Sequence, residues 1–189
     1  MSRPCHPLSG LRSIFQSPIA LSQKGAYKNK QTCAVQGGKV SEYKYDEKAV
    51  DWKVASGVTI TNNGEKYTLR HFHLHTPAEH PIEKKIYDME MHYVFESRCG
   101  ATYILAVCVK VSDKATKTLS QIARGRSFHL PKIRHYWSYV GSIPPGGNVM
   151  WNVAKDVYHV SKKDYEILAS MSKGSREVAP TEGRDVRYS

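Results

Sequence analysis

Five histidines fall between Leu69 and Phe95, and their spacing limits what this stretch can form. His71, His73 and His75 alternate with Phe72 and Leu74. Successive side chains of a strand point to opposite faces, so the pattern predicts three imidazoles on one face and apolar groups on the other. Asp88, Glu90 and His92 repeat the alternation against Met89, Met91 and Tyr93. Between the two runs, Thr76-Pro77 and His80-Pro81 stop any helix and let the chain reverse. Two strands paired through that reversal bring His92 beside His73 and His75. Three imidazoles converging on one point form the ligand set of a catalytic zinc site, with the fourth tetrahedral position left to water. The competing reading is a histidine-rich exposed face with no ligand. A lone His-x-His decides nothing, but a third histidine on a second strand, two residues after an acid, favours the metal site. Spacing leaves open whether His71 competes as a ligand.

These residues resemble the α-class carbonic anhydrases. Phe72-His73-Leu74-His75, Glu79-His80 and Glu90-Met91-His92 follow the order of that family's Phe-His-Phe-His, Ser-Glu-His and Glu-Leu-His segments. Gln16-Ser17-Pro18-Ile19 matches its Gln-Ser-Pro-Ile, and Tyr136-Trp137-Ser138-Tyr139 with Gly141-Ser142 is similar to its Tyr-Trp-Thr-Tyr-x-Gly-Ser. Arg176, Pro180 and Arg184 keep its terminal Arg…Pro…Arg spacing. Periodicity alone gives a β-rich α+β class. The resemblance implies more: a central, mostly antiparallel twisted β-sheet with a few peripheral helices, in a single domain over residues 1–189 whose first 15 are irregular.

The implied function is zinc-dependent reversible hydration of CO2 to bicarbonate, with Zn2+ on His73, His75 and His92. By the same resemblance Glu90 holds His92, and Glu79 accepts a hydrogen bond from a threonine hydroxyl that orients the nucleophile. Val94, Val107, Ile143 and Trp151 become the apolar walls for CO2. His71 stands where the family usually has Gln. Two departures bear on turnover. Gly141-Ser142-Ile143-Pro144-Pro145 is two residues shorter than the family's Gly-Ser-Leu-Thr-Thr-Pro-Pro. A gap after Ile143 deletes both threonines; an earlier gap puts Ser142 at the orienting position. Asn62-Asn63-Gly64 is followed by Glu65, where the family carries a shuttle histidine and a further strand pair. The expectation is therefore an impaired carbonic anhydrase, with buffer or Glu65 in place of the shuttle. Its rivals are a binding module attached to a protein partner or acidic polyanion, and a structural subunit of a larger assembly whose shortened hairpins expose sheet edges. Retention of all three histidines counts against the binding module.

The rest of the chain sets bounds. Its 189 residues suffice for a substantial core, and no window approaches the roughly 18 apolar residues of a transmembrane segment. Residues 1–8 lack the apolar stretch of a secretory signal peptide. The family's disulfide has no counterpart at Gly10 or after Pro145-Gly146, a Cys5–Cys33 bond stays open, and Cys108 reads as a buried apolar group. Cysteine usage thus leans towards an intracellular or organellar reducing compartment. The net charge of +11 is spread along the chain with no dense Lys/Arg run, which excludes a specific nucleic-acid partner and suits nonspecific contact with acidic ones. Residues 54–60 read as a strand before the Asn62-Asn63-Gly64 turn, and Tyr103–Val111 as a central strand. Short helices are expected over 114–124, on Leu119 and Ile122, and over 161–172, capped by Ser161 with Tyr165, Leu168 and Ala169 inward.

Overall fold

The computed structural model describes residues 15–30, 33–36, 38–55, 57–142, 148–181 and 183–189. Six short strands come first: β1 (Tyr27–Lys28), β2 (Cys33–Gln36), β3 (Lys39–Val40), β4 (Tyr43–Asp46), β5 (Asp51–Val54) and β6 (Thr59–Asn62). The three longest follow: β7 (Glu65–His75), β8 (Met89–Ser97) and β9 (Thr102–Val111). Then come α1 (Lys117–Ala123), β10 (Phe128–His129), β11 (Tyr136–Ser142) and β12 (Asn148–Ala154). The chain closes with β13 (Tyr158–Val160), α2 (Lys162–Ser170) and β14 (Arg187–Tyr188).

Twelve strands form one sheet in the order β1-β14-β11-β12-β9-β8-β7-β5-β4, with β6 and β2 joined beside β7 and β13 beside β9. Pairing is antiparallel except for β1 with β14 and for β12 and β13 on β9. The β-rich, mostly antiparallel expectation holds, and the two helices pack on one side. Asn63 and Gly64 both take left-handed backbone angles (φ 50° and 79°), the two-residue turn that fits the twist of a hairpin, and they link Asn62 to its partner Glu65. The strand expected over 54–60 divides. Trp52 pairs with Phe72 and Ile60 with Tyr67, so β5 and β6 share one edge of β7 with a break between them.

The alternation in β7 and β8 sorts two cores. Phe72, Leu74, Met89, Met91 and Tyr93 face one way and join a cluster with Trp52 and Phe128, where Phe72 stacks on Trp52 at 5.2 Å. Each such side chain contributes about 2 kcal/mol when fully buried. Leu119 and Ile122 of α1 and Leu168 of α2 close this core from outside, and Ser161 Oγ accepts the Asp164 N–H at 3.2 Å to cap α2. The opposite face holds Val94, Ile104, Ala106, Trp137 and Trp151, and it surrounds the histidines.

Cys108 is free and buried, but Cys99 is disulfide-bonded. No spacing in the sequence announces that bond. The Cys5–Cys33 alternative lies outside the described residues. Among the described residues no helix is long and apolar enough to cross a membrane.

Candidate metal centre

β7 and β8 pair with His73 opposite His92 and His75 opposite Glu90. That register gathers His73, His75 and His92, with ring centroids 4.8–5.1 Å apart. One nitrogen from each lies within 4.8 Å of the others. Hydrogen bonding identifies which. His92 Nε2 stands 2.7 Å from Glu90 Oε1, and a carboxylate only accepts, so Nε2 carries the proton and Nδ1 keeps its lone pair. His75 Nδ1 donates to the Gly174 carbonyl at 2.8 Å, which frees its Nε2. His73 Nε2 lies 3.3 Å from His92 Nδ1. Burial, then the neighbouring His92, pushes His75 down to about 4 and holds His73 well below its ordinary value. Both are therefore neutral near pH 7, the form that binds metal. Three imidazoles gathered at one point fit Zn2+.

Glu90 anchors this arrangement. It is fully buried and accepts from His92, from His80 Nδ1 at 2.6 Å, and from the backbone N–H groups of Glu79 and His80 at 2.9 and 2.8 Å. Burial alone would raise its carboxyl, but His80 and His92 outweigh that and hold it well below the usual carboxylate range. With its Nδ1 proton on Glu90, His80 accepts the Tyr139 hydroxyl at Nε2, 2.7 Å away. Glu79, also buried, is gripped by Arg176: Nε to Oε1 at 2.8 Å, Nη2 to Oε2 at 2.6 Å, and the backbone N–H to Oε1 at 2.9 Å. Against the penalty of burial, these bonds and the nearby histidines keep Glu79 below its ordinary value.

A model of the eukaryotic-type carbonic anhydrase family matches residues 9–189. The chain belongs to the carbonic anhydrase family. It is 31% identical over 150 residues to the carbonic anhydrase of Neisseria gonorrhoeae, covering 69% of this chain and 59% of that one. It is 26% identical over 134 residues to alpha carbonic anhydrase 5 of Arabidopsis thaliana, covering 60% of this chain and 48% of the relative. The chain thus spans about half the length of the curated relatives it matches. In three dimensions it is similar to the α-carbonic anhydrase of Thermovibrio ammonificans solved with sulfanilamide, with a TM-score of 0.78, 27% identity, and coverage of 92% of this chain and 86% of that one.

Within this member of the family the expected site residues divide. His73, His75, His92, Val94 and Trp151 line one cavity of about 450 Å³, with Glu79 and Glu90 buried behind the histidines. Val107 is not part of it. It lies one step out of phase, in the opposite core with Met91, and Ile104 takes the wall instead. Ser142 does not reach Glu79: its hydroxyl donates to Gln16 Oε1 at 3.3 Å, its N–H to Ser17 Oγ at 3.2 Å, and Arg176 holds Glu79. Ile143 and the rest of 143–147 lie outside the described residues. His71 lines the cavity and stacks on His73 at 5.9 Å, but it neither joins the ligand group nor bonds His73, whose Nδ1 is buried without a partner among the described residues. Glu65 opens β7, eight residues from His73, or about 26 Å along a strand, too far to relay a proton. Sequence reasoning assigned no role to His80, Tyr139 or Arg176. His80 was signalled by its place after Glu79, and Arg176 by its place in the terminal spacing.

Proposed function

We propose that this chain binds Zn2+ through His73 Nε2, His75 Nε2 and His92 Nδ1 and hydrates CO2 reversibly to bicarbonate, at an attenuated rate. The observation that supports it is the convergence of one ring nitrogen from each of three histidines, two of them oriented by Glu90 and the Gly174 carbonyl. Zinc bound there supplies a water acidic enough to lose its proton near pH 7. The chain's own residues bind and orient. Val94, Ile104 and Trp151 offer uncharged CO2 an apolar wall beside the histidines. Glu90 fixes the tautomer of His92 and raises its basicity as a donor.

Attenuation follows from what surrounds Glu79. The resemblance gives that carboxylate a hydroxyl partner, and here a guanidinium occupies both of its oxygens. Among the described residues, His71 is the one further imidazole on the cavity wall, so proton exit falls largely to buffer. The same Arg176–Glu79 pair favours a second reading, a carbonic-anhydrase-like binding or structural subunit that keeps its metal without turning over.

Stopped-flow CO2 hydration on protein of assayed zinc content decides between them. Stoichiometric zinc with hydration above that of free zinc, rising with buffer concentration and lost in His92→Ala, is the expected result. Bound zinc without turnover overturns the catalytic reading in favour of the second, and a chain that takes no zinc overturns the metal assignment itself.

A further inference from the structure

One edge of the sheet carries more positive charge than it balances. β1 ends the sheet, and its parallel pairing with β14 sets Tyr27 beside Arg187 and Lys28 beside Tyr188. Tyr27 N–H donates to the Val186 carbonyl at 2.9 Å and Asn29 N–H to the Tyr188 carbonyl at 2.8 Å, so the backbone at Lys28 is fixed between two bonds. Tyr27, Lys28, Lys30, Arg184 and Arg187 line a groove of about 780 Å³ along this edge. Asp185 is the one carboxylate among its described lining residues, and Arg187 Nε donates to it at 3.0 Å. Lys28, Lys30 and Arg184 therefore have no carboxylate in the groove to balance them. Arg184 is pinned from behind, with Nη1 donating to the Gln16 carbonyl and its guanidinium carbon 5.2 Å from the Phe15 ring, and contributes a fixed charge. The lysine ends are exposed, and Tyr27 is 66% exposed on the face it shares with Arg187. A lysine on an edge strand also guards against pairing with another sheet. That role covers Lys28 alone: Lys30 lies beyond β1, and Arg184 and Arg187 come from the far end of the chain.

We propose that this edge is a docking groove for an acidic polysaccharide, whose carboxylate or sulfate groups meet Lys28, Lys30 and Arg187 while one of its sugar rings lies on Tyr27. A concave surface of one sign raises the local concentration of an oppositely charged partner. Ammonium groups on flexible stems suit charges spaced along a chain, where a planar fork would suit a single bidentate anion. Tyrosine supplies a flat apolar face with a polar tip, which matches a sugar ring with an apolar face and a hydroxyl rim. A nucleic-acid strand stacks its bases on a series of aromatic rings, and Tyr27 is the one ring here. A membrane surface takes an apolar face that inserts, and this surface is a groove lined by charges. The groove shares no lining residue with the histidine cavity, so the proposal stands apart from the hydratase reading.

The test titrates the full chain with a heparin oligosaccharide by calorimetry, at low and at physiological ionic strength. Saturable binding that weakens with salt is expected. Lys28→Ala combined with Lys30→Ala is expected to weaken it about fivefold, and Tyr27→Ala severalfold. Lys162→Ala combined with Lys163→Ala removes the same charge from the first turn of α2 and is expected to leave affinity unchanged. All five side chains are exposed, so each variant is expected to keep the parent Tm. Absence of binding overturns the proposal. An equal loss in the two lysine pairs does so too, because net charge would then be the whole cause, and so does affinity untouched by Tyr27→Ala. Tighter binding of a single-stranded oligonucleotide, or of phosphatidylserine vesicles, than of the oligosaccharide overturns it in favour of that partner.

Discussion

Glu90 and His92 lie two residues apart on β8, yet their side chains meet at 2.7 Å, Oε1 to Nε2. The contact works because i and i+2 share a face of a strand. The same carboxylate takes the His80 imidazole, so one buried charge sets the tautomer of a candidate metal ligand and of its neighbour. Glu90→Gln keeps the shape and removes the charge, and its amide nitrogen sets a donor against ring N–H groups. Zinc affinity, measured by chelator competition, is expected to fall about 10–100-fold. Unchanged affinity would mean that His92 is oriented by packing alone.

Arg176 and Glu79 are the second such pair. Glu79 is shut away from water, while the Arg176 side chain is 27% exposed. Arg176→Ala strands a buried carboxylate and is expected to lower stability by about 3 kcal/mol or more in urea denaturation. Glu79→Gln in the same background removes the stranded charge and is expected to recover part of the loss. A double variant no more stable than Arg176→Ala would show that the charge was never the problem.

The metal-free protein is expected to be acid-labile over a definite window. Burial and the neighbouring His92 hold the folded pKa of His75 at about 4, below the ordinary histidine value of 6.5. Between those values the unfolded chain binds a proton at this site that the folded chain does not, so stability rises with pH there. It is fully present above 6.5 and falls as pH drops towards 4, by about 1 kcal/mol per pH unit for this group. Urea midpoints taken from pH 7.5 to 4.5 without metal check the slope, and His75→Gln is expected to flatten it. A slope untouched by that substitution would place the titration elsewhere.

The two parts of the site differed in how far the sequence revealed them. The metal hairpin was legible because a period of two is local: His73, His75, Glu90 and His92 declare their faces through the apolar residues between them. Val107 was not. Tyr103–Val111 is apolar on both faces, so a run of Leu, Ala, Val and Cys gives no parity, and only pairing of Ala106 with His92 fixes which side each residue takes. The partner of Glu79 lies 97 residues away, beyond any local pattern. Ser142 was assigned through a gap, but its contacts are set by Gln16 and Ser17, which lie near the start of the chain and have no local link to it.

Cys99 and Cys108 should separate by labelling. Cys99 is disulfide-bonded, and Cys108 is free but buried, with its thiol pushed well up, burial first and the Glu90 charge second. Without reductant, a maleimide is expected to miss both in the folded protein and to reach Cys108 alone of the two after denaturation. Peptide mapping reads the outcome. Labelling of Cys99 in unreduced, denatured protein would show that the bond does not form in solution.

Gly141 links the amino-terminal segment to the site wall, and its requirement is space. A Cβ built there lands on Ser17 Oγ and lies 2.9 Å from Tyr139 Cε2 and 3.2 Å from Trp151 Cδ1. Each of these neighbours is committed: Ser17 Oγ accepts the Ser142 N–H, the Tyr139 hydroxyl serves His80, and Trp151 walls the cavity. An added methyl would have to displace the Ser17 hydroxyl or push both rings towards the histidines. Gly141→Ala is therefore expected to cost about 1–3 kcal/mol, read as a lowered Tm. Because Tyr139 supports His80 and hence Glu90, zinc affinity is expected to drop severalfold alongside. A lowered Tm with unchanged affinity would mean that the Ser17 segment gives way and the rings stay in place.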